Sequence, residues 1–238
     1  MAKFIQKFEN QSAYDAAEHQ YPNTSLVGND IVFAMTAPQA FGGLTVKYNI
    51  DEPTQEVTLF NGGGGSSTSS STSGSGSGSG GGGATLPSKM YVDGAEETPI
   101  NTWRFETAGE HIVQYEFADN IIPAGFLQSN RNATEAIIGD DITEIADSSA
   151  NVPGAFELSV ITTVTIGTGI TKIGDSAFHM SYLETLTINA DYPPILVLNA
   201  LTDSSITAIY VPASAVDEYK NSTSTGWSEY ASIIQPIV

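Results

Sequence analysis

Histidines, glycine-rich turns and paired carboxylates are the residues of this chain whose chemistry could matter, and their spacing argues against catalysis. The three histidines, His19, His111 and His179, lie far apart in unrelated contexts. Metal ligation and general-base chemistry need such groups gathered, so each is read as a surface or packing residue. The run "GTGITKIG" shares only its glycines with a phosphate-cradling loop, because the GxxxxGK[ST] spacing is missing. Gly139-Asp140-Asp141 offers oxygen ligands of the kind calcium takes. The matching turn further on reads Gly167-Thr168-Gly169, which favours a solvated turn over an ion site. Serines abound, but none stands in G-x-S-x-G. Glu96 and Glu97 are adjacent on an expected turn, and sequence alone cannot supply the carboxylate separation that glycoside hydrolysis needs. The chain is therefore expected not to be an enzyme and to require no cofactor and no metal.

Charge and composition narrow the partners. The 238 residues carry 27 acids and 8 bases, a formal charge of −19. No basic stripe exists, so nucleic acid is set aside as a partner. There is no cysteine, which removes disulfides, thiolate metal sites and cysteine nucleophiles. The opening "MAKFIQKFENQSAYD" lacks the apolar run of a secretory leader, and no stretch approaches the length of a membrane span. The sequons at Asn23, Asn132 and Asn221 are accordingly read as accidental.

The elements that must position any site are divided by an unusual tract. Between Asn61 and Ala84 lie 22 residues, 11 Gly, 9 Ser and 2 Thr. Such a stretch has no apolar surface with which to offset its ordering entropy. A coil of this kind spans about 25 Å. It is expected to act as a linker (62–84) that holds a head of residues 1–61 apart from a body.

The body repeats. Phe156, Ile161, Val164 and Ile166 recur 22 residues later as Phe178, Leu183, Leu186 and Ile188. Ile138, Ile142, Ile145 and Asp147 recur 28 residues later, the difference being an insertion, "SANVPG". A weaker copy begins at Phe126, and Val211 follows Ile188 by 23 residues. "TVTI" and "TLTI" alternate with the period of a strand buried on one face. A 22-residue unit cannot bury its own apolar face, so the copies must stack into a solenoid of three to four coils. Thr163 and Thr165 should then lie beside Thr185 and Thr187 on the outer face. A ladder of this kind serves either as a binding surface or as ordinary β-branched strand exterior.

"ITKIGDSAF", "LETLTI" and the closing "AIYVPASAVDEYKNSTSTGWSEYASIIQPI" resemble the BspA-like leucine-rich-repeat family. The resemblance covers residues 118–238 and implies a helical C-terminal cap carrying Val216, Tyr219, Trp227 and Tyr230. The chain departs from the family pattern where a cysteine is usual, since Ser159 and Ser181 stand there. Residues 85–117, with Asp93-Gly94 as a turn, read as a small β unit shielding the solenoid's N-terminal end. In the head, Ser12 and Asp15 frame a short helix before Pro22, and "DIVFAM", "LTVKYNI" and "EVTLF" read as strands. Phe8, Tyr14 and Tyr21 are its candidate anchor residues. The expected fold is thus α+β, mostly β: a small α+β anchor, a Gly/Ser linker, and a leucine-rich-repeat solenoid with a β N-cap and a helical C-cap.

"KF…YD…YPNTSLV…DIVFA", then "VKYNI", then "MYVDG…TAGEHIVQYEF" ahead of the repeats is similar to virion proteins of phages of gut Bacteroidales, the crAss-like phages among them. That likeness implies a head-fibre or decoration protein on the virion surface. Residues 1–61 would bind capsid or other virion proteins, and the repeat domain would reach a host-surface glycan or protein. A homo-oligomer released by lysis is expected. The alternative is a bacterial cell-surface adhesin of the BspA-like type. A carbohydrate-active enzyme has only the acidity in its favour.

Overall fold

The computed structural model describes residues 24–27, 30–33, 41–61 and 86–238. Phe8, Tyr14 and Tyr21, the helix expected near Ser12, and the Gly/Ser tract lie outside the described residues. The chain divides into two compact units, Met1–Phe41 and Gly42–Val238. In the first, β1 (Thr24–Val27) and β2 (Asp30–Phe33) pair antiparallel.

The second unit opens with β3 (Leu44–Ile50), β4 (Glu56–Thr58), β5 (Lys89–Val92), β6 (Ala95–Glu97), β7 (Thr102–Arg104) and β8 (Gly109–Glu116). The repeats supply β9 (Ile121–Ile122), β10 (Ala133–Ile138), β11 (Glu144–Ile145), β12 (Thr163–Ile166), β13 (Lys172–Ile173), β14 (Thr185–Ile188), β15 (Ile195–Leu196) and β16 (Ala208–Val211). The chain closes with helix α1 (Val216–Asn221), a 3-10 turn (Trp227–Tyr230) and β17 (Ile234–Pro236).

Strands β10, β12, β14, β16 and β17 run parallel side by side, and β9, β11, β13 and β15 form a second parallel sheet. The result is a mostly β structure whose C-terminal part is a β-solenoid of about five turns. Val164 stands opposite Leu186 and Ile138 opposite Ile166, so the sequence offsets of 22 and 28 are the register of the ladders. The apolar half of each alternation is fully buried in one continuous core. Phe156 stacks on Phe178 with ring centroids 4.8 Å apart. In the first coil the equivalent of these residues is Leu127 rather than Phe126. The Leu127 N–H donates to Ala155 O just as the Phe156 N–H donates to Ala177 O.

Coils this close leave no room for side chains at some turns. A Cβ on Gly169 would lie 2.0 Å from the Asp140 carbonyl oxygen, and one on Gly154 would lie 1.8 Å from that of Ser176. At the far end Trp227 is buried and its Nε1–H donates to Pro194 O at 2.7 Å. The Tyr219 hydroxyl donates to Ala190 O at 3.0 Å.

Residues 42–61 do not belong to the N-terminal module, where sequence reading places them. In the long sheet β3 lies between β8 and β10, antiparallel to both. Its alternate residues Leu44, Val46, Tyr48 and Ile50 are buried there. A 20-residue segment has no core of its own, whereas the exposed edge of β10 offers both apolar contacts and unpaired backbone groups. The segment is pinned beyond the strand as well. The Tyr48 hydroxyl donates to Leu59 O, the Asn130 amide donates to Thr58 O at 2.9 Å, and Phe60 stacks on Phe126 at 5.0 Å. β4 pairs with β7, so the N-terminal cap is built from residues 42–61 and 86–117 together.

Both ends of the Gly/Ser tract therefore sit in one unit. Asn61 donates its N–H to Phe126 O at 2.7 Å, and Ser88 donates to Glu116 O at 2.7 Å. The tract joins two parts of the same cap rather than a head to a body. A specific protease site placed within residues 62–85 and then cut should leave two fragments that co-elute under native conditions and separate only in denaturant. Separation in native buffer would contradict this assignment of β3.

Candidate functional site

Register across the long sheet aligns outward side chains into rows. One row runs Gln114, Thr45, Ile137, Thr165, Thr187 and Tyr210, one residue from each of six neighbouring strands. The row beside it runs Ile112, Lys47, Glu135, Thr163, Thr185 and Ala208. The four threonines singled out from the sequence do stand side by side, each half-buried. Their neighbours across β3 and β8 were not legible, because the pairing of β3 with β10 joins residues about ninety positions apart. The outward polar positions of "LTVKYNI" could be seen, but not the strand they would meet.

Six strands at the usual spacing of about 4.8 Å make each row about 24 Å long. Ile112 and Ile137 remain 39% and 37% exposed, large for sheet aliphatics. Lys47 and Glu135 form an ion pair at 2.7 Å, and the hydrogen bond to Glu135 raises the Lys47 pKa. The Gln114 amide donates to Thr45 Oγ1 at 3.2 Å. The two rows thus carry no net charge on a chain of −19.

The acidic turn at 139–141 staples coils together. Asp140 Oδ1 accepts from the Thr168 N–H at 2.7 Å and from Thr168 Oγ1 at 3.0 Å. A second staple runs up the other side. Asp147 Oδ1 accepts from the Asp175 N–H at 2.9 Å, and Lys172 reaches Glu144 at 2.9 Å and Asp147 at 2.6 Å. The hydrogen bonds that Lys172 donates to Asp147 and then to Glu144 raise its pKa. Desolvation pushes the Asp147 carboxyl up, but Lys172 and the Asp175 N–H outweigh it and hold its pKa below the usual range. Glu96 and Glu97 lie on edge strand β6 rather than on a turn; the turn before it is Asp93-Gly94, with φ of 50° and 84°. Acidic side chains on an edge discourage further strand pairing. Among the described residues, no three His, Asp or Glu side chains gather as a metal site requires.

His19 lies outside the described residues. His179 sits 3.6 Å from Glu157 Oε1 and 3.7 Å from Asp203 Oδ2. His111 is 8% exposed and stacks on Phe105 with centroids 4.2 Å apart. Its Nδ1 faces Asp93 Oδ2 at 2.7 Å and its Nε2 faces Thr107 O at 2.9 Å. The imidazolium can donate to both acceptors at once, and the Thr107 hydroxyl lies 3.4 Å from the same Nε2. Desolvation opposes the charge, but the Asp93 bond, the Thr107 carbonyl and the Asp93 charge outweigh it and raise the pKa.

The residues three positions after Leu127, Phe156, Phe178 and Leu201 occupy equivalent places in successive coils. Ser181 and Ser204 each donate to the carbonyl three residues earlier at 2.7 Å. Asn130 accepts from the Asn132 and Ala133 N–H groups. Ser159 is fully buried, and its Oγ has no hydrogen-bond partner.

Comparison with protein-family models gives no match for this chain, and comparison with curated proteins gives none either.

Two outcomes follow from this geometry. Because folding raises the His111 pKa, its stabilisation is complete below the unfolded value of about 6.5 and is lost as pH rises through the folded one. The stability difference between the wild type and His111→Gln, measured by urea denaturation, should be largest near pH 6 and shrink above that window. Ser159→Ala should raise stability or leave it unchanged, whereas Ser181→Ala should lower it by about 1 kcal/mol. Thermal melts of the two variants check the contrast.

Proposed function

We propose that the protein is a non-enzymatic structural protein of a phage particle, a head fibre or capsid decoration that displays its solenoid outward. The observation that carries this is the division at Phe41–Gly42, a small N-terminal unit followed by a solenoid capped at both ends. Residues 1–41, with Phe8, Tyr14 and Tyr21, attach to capsid or other virion proteins. Residues 42–238 are presented to a host-surface glycan or protein, several copies together. A BspA-like leucine-rich-repeat reading of the solenoid draws its support from "ITKIGDSAF" and "LETLTI", and the 22-residue register between β12 and β14 is compatible with a repeat of that length. The anchor is shorter than sequence reading places it, because residues 42–61 are taken up by the solenoid's cap. Strong acidity keeps copies crowded on one particle from associating with one another.

Gold-labelled antibody raised against residues 86–238 and viewed on particles from the source culture tests this directly. Labels around phage capsids are the expected result. Labels on cell envelopes with bare particles would overturn it in favour of a bacterial adhesin.

A further inference from the structure

We propose that the two rows of the long sheet, which carry no net charge, form the binding face for a neutral polysaccharide, lying across the strands and parallel to the solenoid axis. The proposal rests on the display reading and names the ligand class for its outer surface. Charge selects the occupant. Of the twelve side chains in the rows, only Lys47 and Glu135 are charged, and they neutralise each other at 2.7 Å. The chain as a whole has 27 acids to 8 bases. A polyanion such as a sulfated or sialylated glycan is repelled by this field, and a basic partner finds no unpaired carboxylate within the rows.

Chemistry and shape fit the same occupant. Thr163, Thr165, Thr185 and Thr187 present four hydroxyls in two adjacent columns, each able to donate and accept. Ile137 and Tyr210 lie in the same row and offer apolar and aromatic surface to the C–H faces of sugar rings. Parallel pairing repeats these groups at about 4.8 Å along a straight line. A linear polymer of uncharged, hydroxyl-rich units can meet such a line at several successive points. Each contact is weak, and copies displayed together add avidity.

The test is affinity electrophoresis of the full chain through gels containing mannan, dextran, xylan or a mixed-linkage β-glucan, with heparin and hyaluronan as charged comparators. At least one neutral polysaccharide should retard the wild type. Thr165→Glu with Thr187→Glu should weaken that retardation about tenfold, a change of about 1.4 kcal/mol. Thr165→Val with Thr187→Val keeps the β-branched shape while removing the hydroxyls, so it should weaken binding without unfolding the sheet. Thr223→Glu with Ser224→Glu adds the same charge on the exposed C-terminal cap and should leave binding unchanged. Retardation by none of the neutral polymers, by the charged ones alone, or equally for wild type and both row variants would overturn the proposal. Gold labelling of particles is independent of these gels. Labelled capsids with no neutral-glycan binding would leave virion display standing and remove this face.

Discussion

A stack of parallel strands ends in raw edges, and the closure of the first of them, β10, is the constraint on which this molecule depends. An exposed edge presents unpaired N–H and C=O groups beside the open end of an apolar core. Here β3 lies against β10 and reverses the strand direction. The sheet then continues antiparallel through β8, β5 and β6 to an edge lined with acid. Phe60, Tyr115 and Phe126 pack edge and face over the opening, with centroids 5.0–5.7 Å apart. Leu59 O accepts from Tyr48, at the centre of the seam. The far end is closed by different means: Trp227 and Tyr219 clamp carbonyls of the preceding loop, and Pro236 ends the last strand without an N–H to offer.

Between the two caps the coils are held in register by polar staples as well as by the core. Asp140 to Thr168, Asp147 to Asp175, and Lys172 between Glu144 and Asp147 each link one coil to the next. Asp140 and Asp147 look like surface acidity in the composition, yet each accepts a bond from a backbone N–H of the next coil. Much of the negative charge near the turns is thus structural. The outer rows of the long sheet differ, being neutral and evenly spaced, which sets them apart as a surface.

The solenoid was legible because its information is local. Offsets of 22 and 28 residues place Val164 beside Leu186 and Ile138 beside Ile166 with no knowledge of the rest of the chain. The insertion 149–154 was visible for the same reason. The N-terminal cap was not, since nothing within "LTVKYNI" says that Val46 will face Ala136 and Val113. The Gly/Ser tract compounded the difficulty, because composition reveals that a segment has no core of its own but not which units its ends join. The candidate site was half legible on the same grounds. The threonine ladder came from the repeat, whereas Gln114, Thr45, Lys47 and Glu135 needed the long-range register.

The account's central claim is that residues 44–50 form an interior strand of the solenoid sheet. Hydrogen–deuterium exchange on the intact chain tests it most directly. Amides of β3 should exchange as slowly as those of β12 and β14, since opening them requires opening the cap. Exchange of β3 within the time typical of loops, while β12 and β14 stay protected, would contradict the claim and return residues 42–61 to the N-terminal module.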